Sequence, residues 1–139
     1  MSTHLEASVR QDLDQIRSKV VEMGALAESA LKASIKAVVE RDRQLAFAVI
    51  LRDKLVDEAE KQLDRLCLSF LVRHQPAARL LRLAYAAIKI NLELERVGDY
   101  AEAIAREAVK LSQIETPLPV ERLQRIVNLA VAMLHDAIQ

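Results

Sequence analysis

Apolar residues recur at alternating intervals of three and four residues through most of the chain. This period matches one face of an α-helix, whereas a half-buried strand alternates every two residues. The pattern predicts a first helix over about residues 4–40 and a second helix that follows Asp42, a residue able to cap it, and ends near His74. Pro76 is predicted to start a third helix, because proline is favoured in the first turn of a helix and excluded from its interior.

The apolar seams of the second and third helices repeat with the same period. In the second helix the predicted seam comprises Leu45, Val49, Arg52, Val56, Ala59, Leu63, Leu66 and Phe70. In the third it comprises Leu83, Ala87, Ile90, Leu94, Val97, Ala101, Ile104, Ala108 and Leu111. A spacing sustained over this length favours shallow, left-handed crossing of neighbouring helices.

A stretch with two prolines, residues 116–119, is the clearest linker in the chain, and another amphipathic segment follows it over residues 120–139. When the sequence is shifted by 110 residues, the apolar positions of this segment fall on those of the first helix. The aligned pairs are Leu13 with Leu123, Ile16 with Ile126, Val20 with Ala130, Met23 with Met133 and Ala27 with Ala137. The fourth helix is therefore interpreted as the start of a second repeat.

The predicted fold is all-α: an antiparallel three-helix bundle over residues 1–115, the linker, and one helix of a second, incomplete bundle over residues 120–139. Short connectors force sequential helices to run antiparallel. The composition agrees, since only 3% of the residues are aromatic, and two glycines and three prolines provide few turns. If the second bundle is missing, an uncovered apolar stripe on the fourth helix predicts self-association into a homo-oligomer; in a longer protein the same stripe is the first wall of that bundle.

Charge and hydropathy exclude several classes of protein. Twenty basic residues balance twenty acidic ones, and no Lys/Arg run is interleaved with aromatic residues, so nucleic-acid binding is not expected. No apolar stretch approaches the roughly 20 residues of a membrane span, and the N-terminus is not signal-like, so the protein is expected to be cytoplasmic. The lone Cys67 is expected to be a buried thiol.

Acidic residues line one side of the second and third predicted helices. The second helix carries Asp53, Asp57, Glu60 and Asp64, and the third carries Asn91, Glu95, Asp99 and Glu102 at matching positions beside its seam. In an antiparallel pair these two stripes border the same groove. A reversal near residues 75 and 76 places Asp53 level with Asp99 and Asp57 level with Glu95.

Two facing carboxylate stripes require neutralisation, because like charges one helical turn apart already destabilise a helix. Nearby Lys and Arg residues, protonation or bound cations can supply it. Lys54, Lys61, Arg65 and Arg96 lie close in sequence, so a solvated acidic face with local salt bridges is one interpretation and a metal site is the other. Gly98 in mid-helix indicates either close approach of a neighbouring helix or ion, or simple tolerance of a weak position.

The segment Glu95-Arg96-Val97-Gly98-Asp99-Tyr100-Ala101 resembles the PhoU family, accessory and regulatory proteins of bacterial phosphate-specific transport. The resemblance extends over roughly residues 8–139. The resemblance implies an architecture of two three-helix bundles in tandem. It also implies that Glu/Asp-x-x-x-Asp motifs in these bundles hold multinuclear iron or zinc clusters. Asp53 with Asp57, and Glu95 with Asp99, match those motifs, so the resemblance implies that these four residues bind metal, with Glu60 and Asn91 as secondary ligands.

The leading hypothesis is a regulator of phosphate uptake and phosphate-responsive signalling that acts as a metal-binding adaptor. By resemblance its partners are the ATPase subunit of the phosphate transporter and a sensor histidine kinase. Hard oxygen ligands also suit Mg, Mn or Ca, and iron or zinc enters only through the resemblance. The alternative is a purely structural helical-bundle interaction domain without metal. Catalysis is not expected, because the chain lacks a Gly-rich phosphate loop, a Ser/His/Asp set and a Glu-x-x-His motif.

Overall fold

Four α-helices follow one another in the computed structural model, which describes residues 2–114 and 120–138. Helix α1 spans Ser2–Glu40, α2 spans Arg43–His74, α3 spans Ala78–Leu111 and α4 spans Val120–Ile138. At 1.5 Å per residue, the first three are each about 50 to 60 Å long. Within the described ranges, no helix combines the length and the hydrophobicity needed to cross a membrane. The predicted linker 116–119 lies outside the described residues.

Both turns of the bundle are tight and capped. Asp42 caps α2 as predicted: its side chain accepts a hydrogen bond of 3.0 Å from the backbone N–H of Leu45. At the other end of α2, Gln75 adopts a left-handed conformation with φ 42°, and its N–H donates to the carbonyl of Leu71. The prediction that Pro76 starts α3 was wrong by two residues, because Ala77 is extended and Pro76 therefore stays within the turn.

The core consists of three layers, each of which takes residues from all three long helices. The first contains Ile16, Leu63, Cys67, Phe70, Ala84 and Ala87. The second contains Met23, Ala27, Val56, Ala59 and Leu94. The third contains Ala37, Ala46, Val49, Ala105 and Ala108. From layer to layer the residue numbers rise in α1 and α3 and fall in α2, which confirms the up-down-up bundle.

The buried faces of α2 and α3 are rotated from the predicted seams. Arg52, Leu83 and Ile90 were predicted in the seams, but all three are exposed. The buried positions of α3 are Ala84, Ala87, Asn91, Leu94, Gly98, Ala101, Ala105 and Ala108. Small residues let helices pack closely, whereas larger side chains on the same line would hold them apart. The size of the side chains therefore determines which of two adjacent positions faces the core.

Helix α4 packs against α1. Val127 is buried in this contact, and Leu134 packs against the middle core layer. His135 Nδ1 lies 3.3 Å from Glu28 Oε2. The face of α4 that aligns with the core face of α1 is left open, since Ile126 and Met133 are 64% and 72% exposed.

A buried histidine ties the end of α2 to α1. The side chain of His74 is 6% exposed, and its Nε2 lies 2.7 Å from Asp12 Oδ2. Asp12→Ala would leave that imidazole nitrogen without a partner in a buried site, so we expect the free energy of unfolding to fall by about 1 to 3 kcal/mol. Chemical denaturation measures the change. Asp14→Ala, at an exposed position two residues further along α1, is the control and should be nearly neutral.

Candidate metal centre

The two acidic stripes meet across the groove between α2 and α3. Asp53, Asp57 and Asp99 each offer one carboxylate oxygen, and these three oxygens all lie within 4.8 Å of one another. The predicted register agrees with this placement to within a helical turn. Three of the four sequence-predicted ligands therefore share one constellation. Glu95, the fourth, lies beside it and shares a hydrogen bond with Asp99.

Gly98 explains why the carboxylates come so close. It is buried on the face of α3 that touches α2, and a Cβ built on it would lie 2.9 Å from Cγ1 of Val56. A side chain at this position would push the two helices apart. Since Val56 precedes Asp57 and Gly98 precedes Asp99, this close contact between the helices lies beside the carboxylate cluster. Of the two explanations for this glycine, close helix approach is confirmed.

The surroundings of the cluster favour the neutral forms of Asp53 and Glu95, because the pKa of each is raised. Burial, reinforced by a hydrogen bond with Glu102 and by the charges of Asp57 and Asp99, raises the pKa of Asp53 to about 7. Burial and the charge of Asp99 raise the pKa of Glu95. A carboxylate that is desolvated beside like charges costs free energy unless a proton or a cation compensates it.

Glu60 and Glu102 extend the cluster at its two ends. Burial and the charges of Asp64 and Asp57 raise the pKa of Glu60. The pKa of Glu102 is lowered, chiefly by its hydrogen bond with Arg106 and then by that with Asp53. The Arg106–Glu102 salt bridge measures 2.6 Å. Glu102 was in the predicted stripe but not among the predicted ligands. Its seven-residue spacing from Glu95 was the signal that it shares the same line of α3.

Asn91 is a core residue rather than part of the open groove. It is 1% exposed, and its Nδ2 donates to the backbone carbonyl of Glu60 at 3.0 Å and to Asp64 Oδ1 at 3.4 Å. Within the described part of the chain, its Oδ1 is a buried acceptor without a hydrogen-bond partner. The amide therefore fixes the register of α2 against α3 from inside the bundle, one turn away from the carboxylates.

Local cations neutralise little of this charge. Of the four that lie near the stripes in sequence, Arg96 pairs with Glu93, at 3.4 Å, and not with the cluster. Among residues 2–114 and 120–138, no salt bridge joins Lys54, Lys61 or Arg65 to a stripe carboxylate. Among the stripe carboxylates of the described residues, only Glu102, at the edge of the cluster, forms a salt bridge.

Comparison with known proteins identifies the fold and its family. The PhoU domain model matches residues 20–108. The chain belongs to the PhoU family. It is 37% identical over 139 residues to the phosphate-specific transport system accessory protein PhoU of Serratia marcescens and 36% identical to that of Escherichia coli K12, covering 99% of this chain and 57% of each relative. The crystal structure of PhoU from Pseudomonas aeruginosa superposes with a TM-score of 0.89 at 32% identity, covering 93% of this chain and 62% of that one. The chain thus spans little more than half the length of these curated PhoU relatives.

The donor set of this PhoU-family chain fits a hard divalent cation. Metal–oxygen bonds of about 2.0 to 2.6 Å allow ligand oxygens of one coordination sphere to lie up to about 5 Å apart, which the three aspartates satisfy. Asp53, Asp57 and Asp99 would hold the ion. A bound cation would supply the positive charge that local side chains lack.

Without metal, this PhoU-family chain should lose stability as the pH rises. Between about pH 4 and pH 7 the folded state keeps a proton on Asp53 that the unfolded state has released. The free energy of unfolding therefore falls as the pH rises through this window, and above it the ionised Asp53 leaves the fold less stable by about 1 to 2 kcal/mol after solvent screening. Thermal unfolding of chelator-treated protein near pH 5 and pH 8 measures the effect. In Asp53→Asn the difference should shrink, and an unchanged difference would contradict the assignment.

Proposed function

We propose that this chain is a regulator of phosphate uptake and of phosphate-responsive signalling, acting as a metal-binding adaptor rather than an enzyme. The observation that carries the proposal is the triad of Asp53, Asp57 and Asp99, whose oxygens converge within 4.8 Å on a surface groove of a PhoU-family bundle. A groove with this charge favours a bound cation over an empty solvated face. Iron or zinc is the proposed metal, with Mn, Mg and Ca as competitors that the same oxygens accept.

The proposed partners are the ATPase subunit of the phosphate transporter and a sensor histidine kinase. This chain would bind both of them in the cytoplasm. Support comes from the relatives, which are described as accessory proteins of phosphate-specific transport systems. An adaptor of this kind works by contact, and the long exposed faces of α2 and α3 offer the surface for it. The metal would hold α2 and α3 at a defined spacing and so preserve that surface.

We also propose that α4 is the first helix of a second three-helix repeat. The residues aligned with the buried Ile16 and Met23 of α1 are Ile126 and Met133, and both are exposed. A helix that buries one position in one copy and exposes its equivalent in another is missing the partners of that face. For the 139-residue chain studied alone, we predict self-association through this face.

Sedimentation velocity over a concentration series tests the self-association. We expect a concentration-dependent increase in mass, and Met133→Glu with Ile126→Glu should return the chain to a monomer, because charge on a buried apolar contact is costly. Glu121→Lys, on the same helix at an exposed position, is a control for charge change alone. A monomer at all concentrations would contradict the prediction.

The proposed function is tested in the source organism and with purified proteins. Deleting the gene should uncouple phosphate uptake and phosphate-starvation gene expression from external phosphate, and the wild-type gene should restore the coupling. Purified protein should retain iron or zinc by elemental analysis and bind the ATPase subunit or the kinase. If regulation and partner binding persist in metal-free protein, the alternative of a purely structural interaction domain replaces the metal-binding adaptor.

A further inference from the structure

The charges on α2 and α3 are segregated along the bundle. Residues 65–92, which form the end of α2, the turn and the start of α3, contain no Asp or Glu. The same stretch contains five cationic residues, Arg65, Arg73, Arg79, Arg82 and Lys89. The acidic groove lies beyond this stretch, from Asp64 on α2 and from Glu95 on α3. One half of the α2–α3 pair is therefore basic and the other half acidic.

Large apolar side chains are exposed in the basic half. Leu83 and Ile90 are exposed on the side of α3 that borders α1, and five others, Leu68, Val72, Leu81, Tyr85 and Leu92, have exposed fractions between 46% and 71%. We name these five residues, together with Arg65, Arg82 and Lys89, the basic apolar face. Monomeric proteins rarely leave such a cluster open without a use for it.

The spacing of these residues puts them on the side of the bundle that carries the carboxylates. Tyr85, Leu92 and Asp99 follow one another at seven-residue intervals, and Leu68 lies one turn beyond Asp64. The contact of Asn91 with Asp64 sets the two helices in register. In that register Leu68 lies level with the region of Tyr85, so the apolar residues of α2 and α3 form one continuous strip along the groove.

Three arginines around this strip form no salt bridge within the described residues. Arg65, Arg79 and Arg82 are exposed, and in the described ranges of the chain none of them takes part in a salt bridge. Lys89 Nζ lies 5.0 Å from the centroid of the Tyr85 ring, which leaves the ammonium at the edge of the apolar strip. Positive charge flanking exposed apolar side chains complements an apolar stripe flanked by carboxylates.

We propose that the basic apolar face binds an amphipathic helix of a partner protein, one whose apolar stripe is flanked by Asp and Glu. The strip runs along the groove of two antiparallel helices, the geometry that receives a third helix lengthwise. An anionic membrane fits less well, because the carboxylates of the adjoining groove on the same side would be repelled by its surface. The inference rests on the proposed adaptor function and names the surface through which the adaptor contacts its partner.

Fluorescence anisotropy with a labelled peptide tests the proposal. The probe is an amphipathic helix of about 18 residues, roughly five turns, with Leu at alternating intervals of three and four and Glu beside them. The wild type should bind it and should not bind the same peptide with Lys in place of Glu. Arg82→Glu and Leu68→Ser should each weaken binding about tenfold or more.

Matched variants separate this face from general surface effects. Leu51→Ser replaces a similarly exposed leucine of α2, at 70%, outside the face, and Arg125→Glu reverses an exposed cation of α4. Both should bind the probe as the wild type does. Equal binding by Leu68→Ser, Arg82→Glu and the wild type, with all variants folded by circular dichroism, would overturn the proposal.

Two further measurements test the other occupants and the underlying function. The protein could co-sediment with phosphatidylglycerol vesicles, lose that binding in the same variants and fail to bind the peptide. This result would overturn the proposal in favour of a membrane. If the chain self-associates and only these variants abolish the self-association, the proposal is overturned, and the occupant of the face is a second copy of this chain. If the wild type binds the purified ATPase subunit or kinase and Arg82→Glu binds equally, the inference alone fails. If the wild type binds neither protein but binds the peptide through this face, the proposed function fails and the face stands.

Discussion

Gly98→Leu is expected to lower the free energy of unfolding by about 3 kcal/mol, the upper end of the range for overpacking a filled core. Even a Cβ at this position meets Cγ1 of Val56 at 2.9 Å, and Val56 is 3% exposed and branched at Cβ, so it has little freedom to move aside. Accommodating a leucine requires α2 and α3 to separate. The separation would also pull Asp99 away from Asp53 and Asp57, so metal binding should weaken together with stability.

A smaller substitution at Gly98 tests whether an added side chain stabilises or destabilises the protein. Gly98→Ala adds about 1 kcal/mol of helix propensity but creates the contact with Val56, so we expect no net stabilisation or a small loss. In a Val56→Ala background the contact is absent, and the same Gly98→Ala change should stabilise by about 0.5 to 1 kcal/mol. Denaturant unfolding of the four proteins forms a double-mutant cycle. Ala103→Leu, at an exposed position of α3, controls for added bulk. A stabilising Gly98→Ala in both backgrounds would contradict the packing argument.

Removing two charges from the triad should have opposite effects on stability in the presence and absence of metal. In metal-free protein, Asp57→Asn with Asp99→Asn relieves repulsion around Asp53 and should raise the melting temperature. With metal at about one hundred times its dissociation constant, the wild type should gain about 2.7 kcal/mol and the double variant almost none. Melting curves with Zn²⁺, Fe²⁺ and Mn²⁺, each added separately after chelation, measure both effects.

The control variants for the triad lie on the same two helices. Glu58→Gln in α2 and Glu107→Gln in α3 remove exposed carboxylates outside the cluster. They should leave the metal-dependent shift unchanged. A wild type that gains no stability from any of the three ions, or a double variant that gains as much as the wild type, would show that the carboxylates are a solvated face.

The helices, their order and their lengths were predictable because each depends on local pattern. The three-four period, the Asp42 cap and the turn near Gln75 are properties of short segments, and the up-down-up topology follows from short connectors. The carboxylate groove was predictable for the same reason, since matching stripes on sequential antiparallel helices must meet. The match between the apolar positions of α4 and those of α1 comes from spacing alone, and the second repeat stays a prediction.

The rotation of α2 and α3 was not predictable from hydrophobicity. Placing Arg52 in the seam was wrong, because that position turns outward and Asp53 takes the partly buried place beside it. The same rotation buries Asn91 and Gly98 and exposes Leu83 and Ile90. Two adjacent positions can both satisfy a three-four period, and the choice between them depends on which set of side chains lets three helices pack closely.

Periodicity and connector length are local properties, so the all-α bundle and the two acidic stripes beside one groove follow from the amino-acid sequence. The packing of α2 against α3 brings Asp53, Asp57 and Asp99 together, with Glu95 and Glu102 beside them, and places Gly98 against Val56. Those outcomes depend on the distance between two helices, and that distance is set by the packing of residues far apart in the chain.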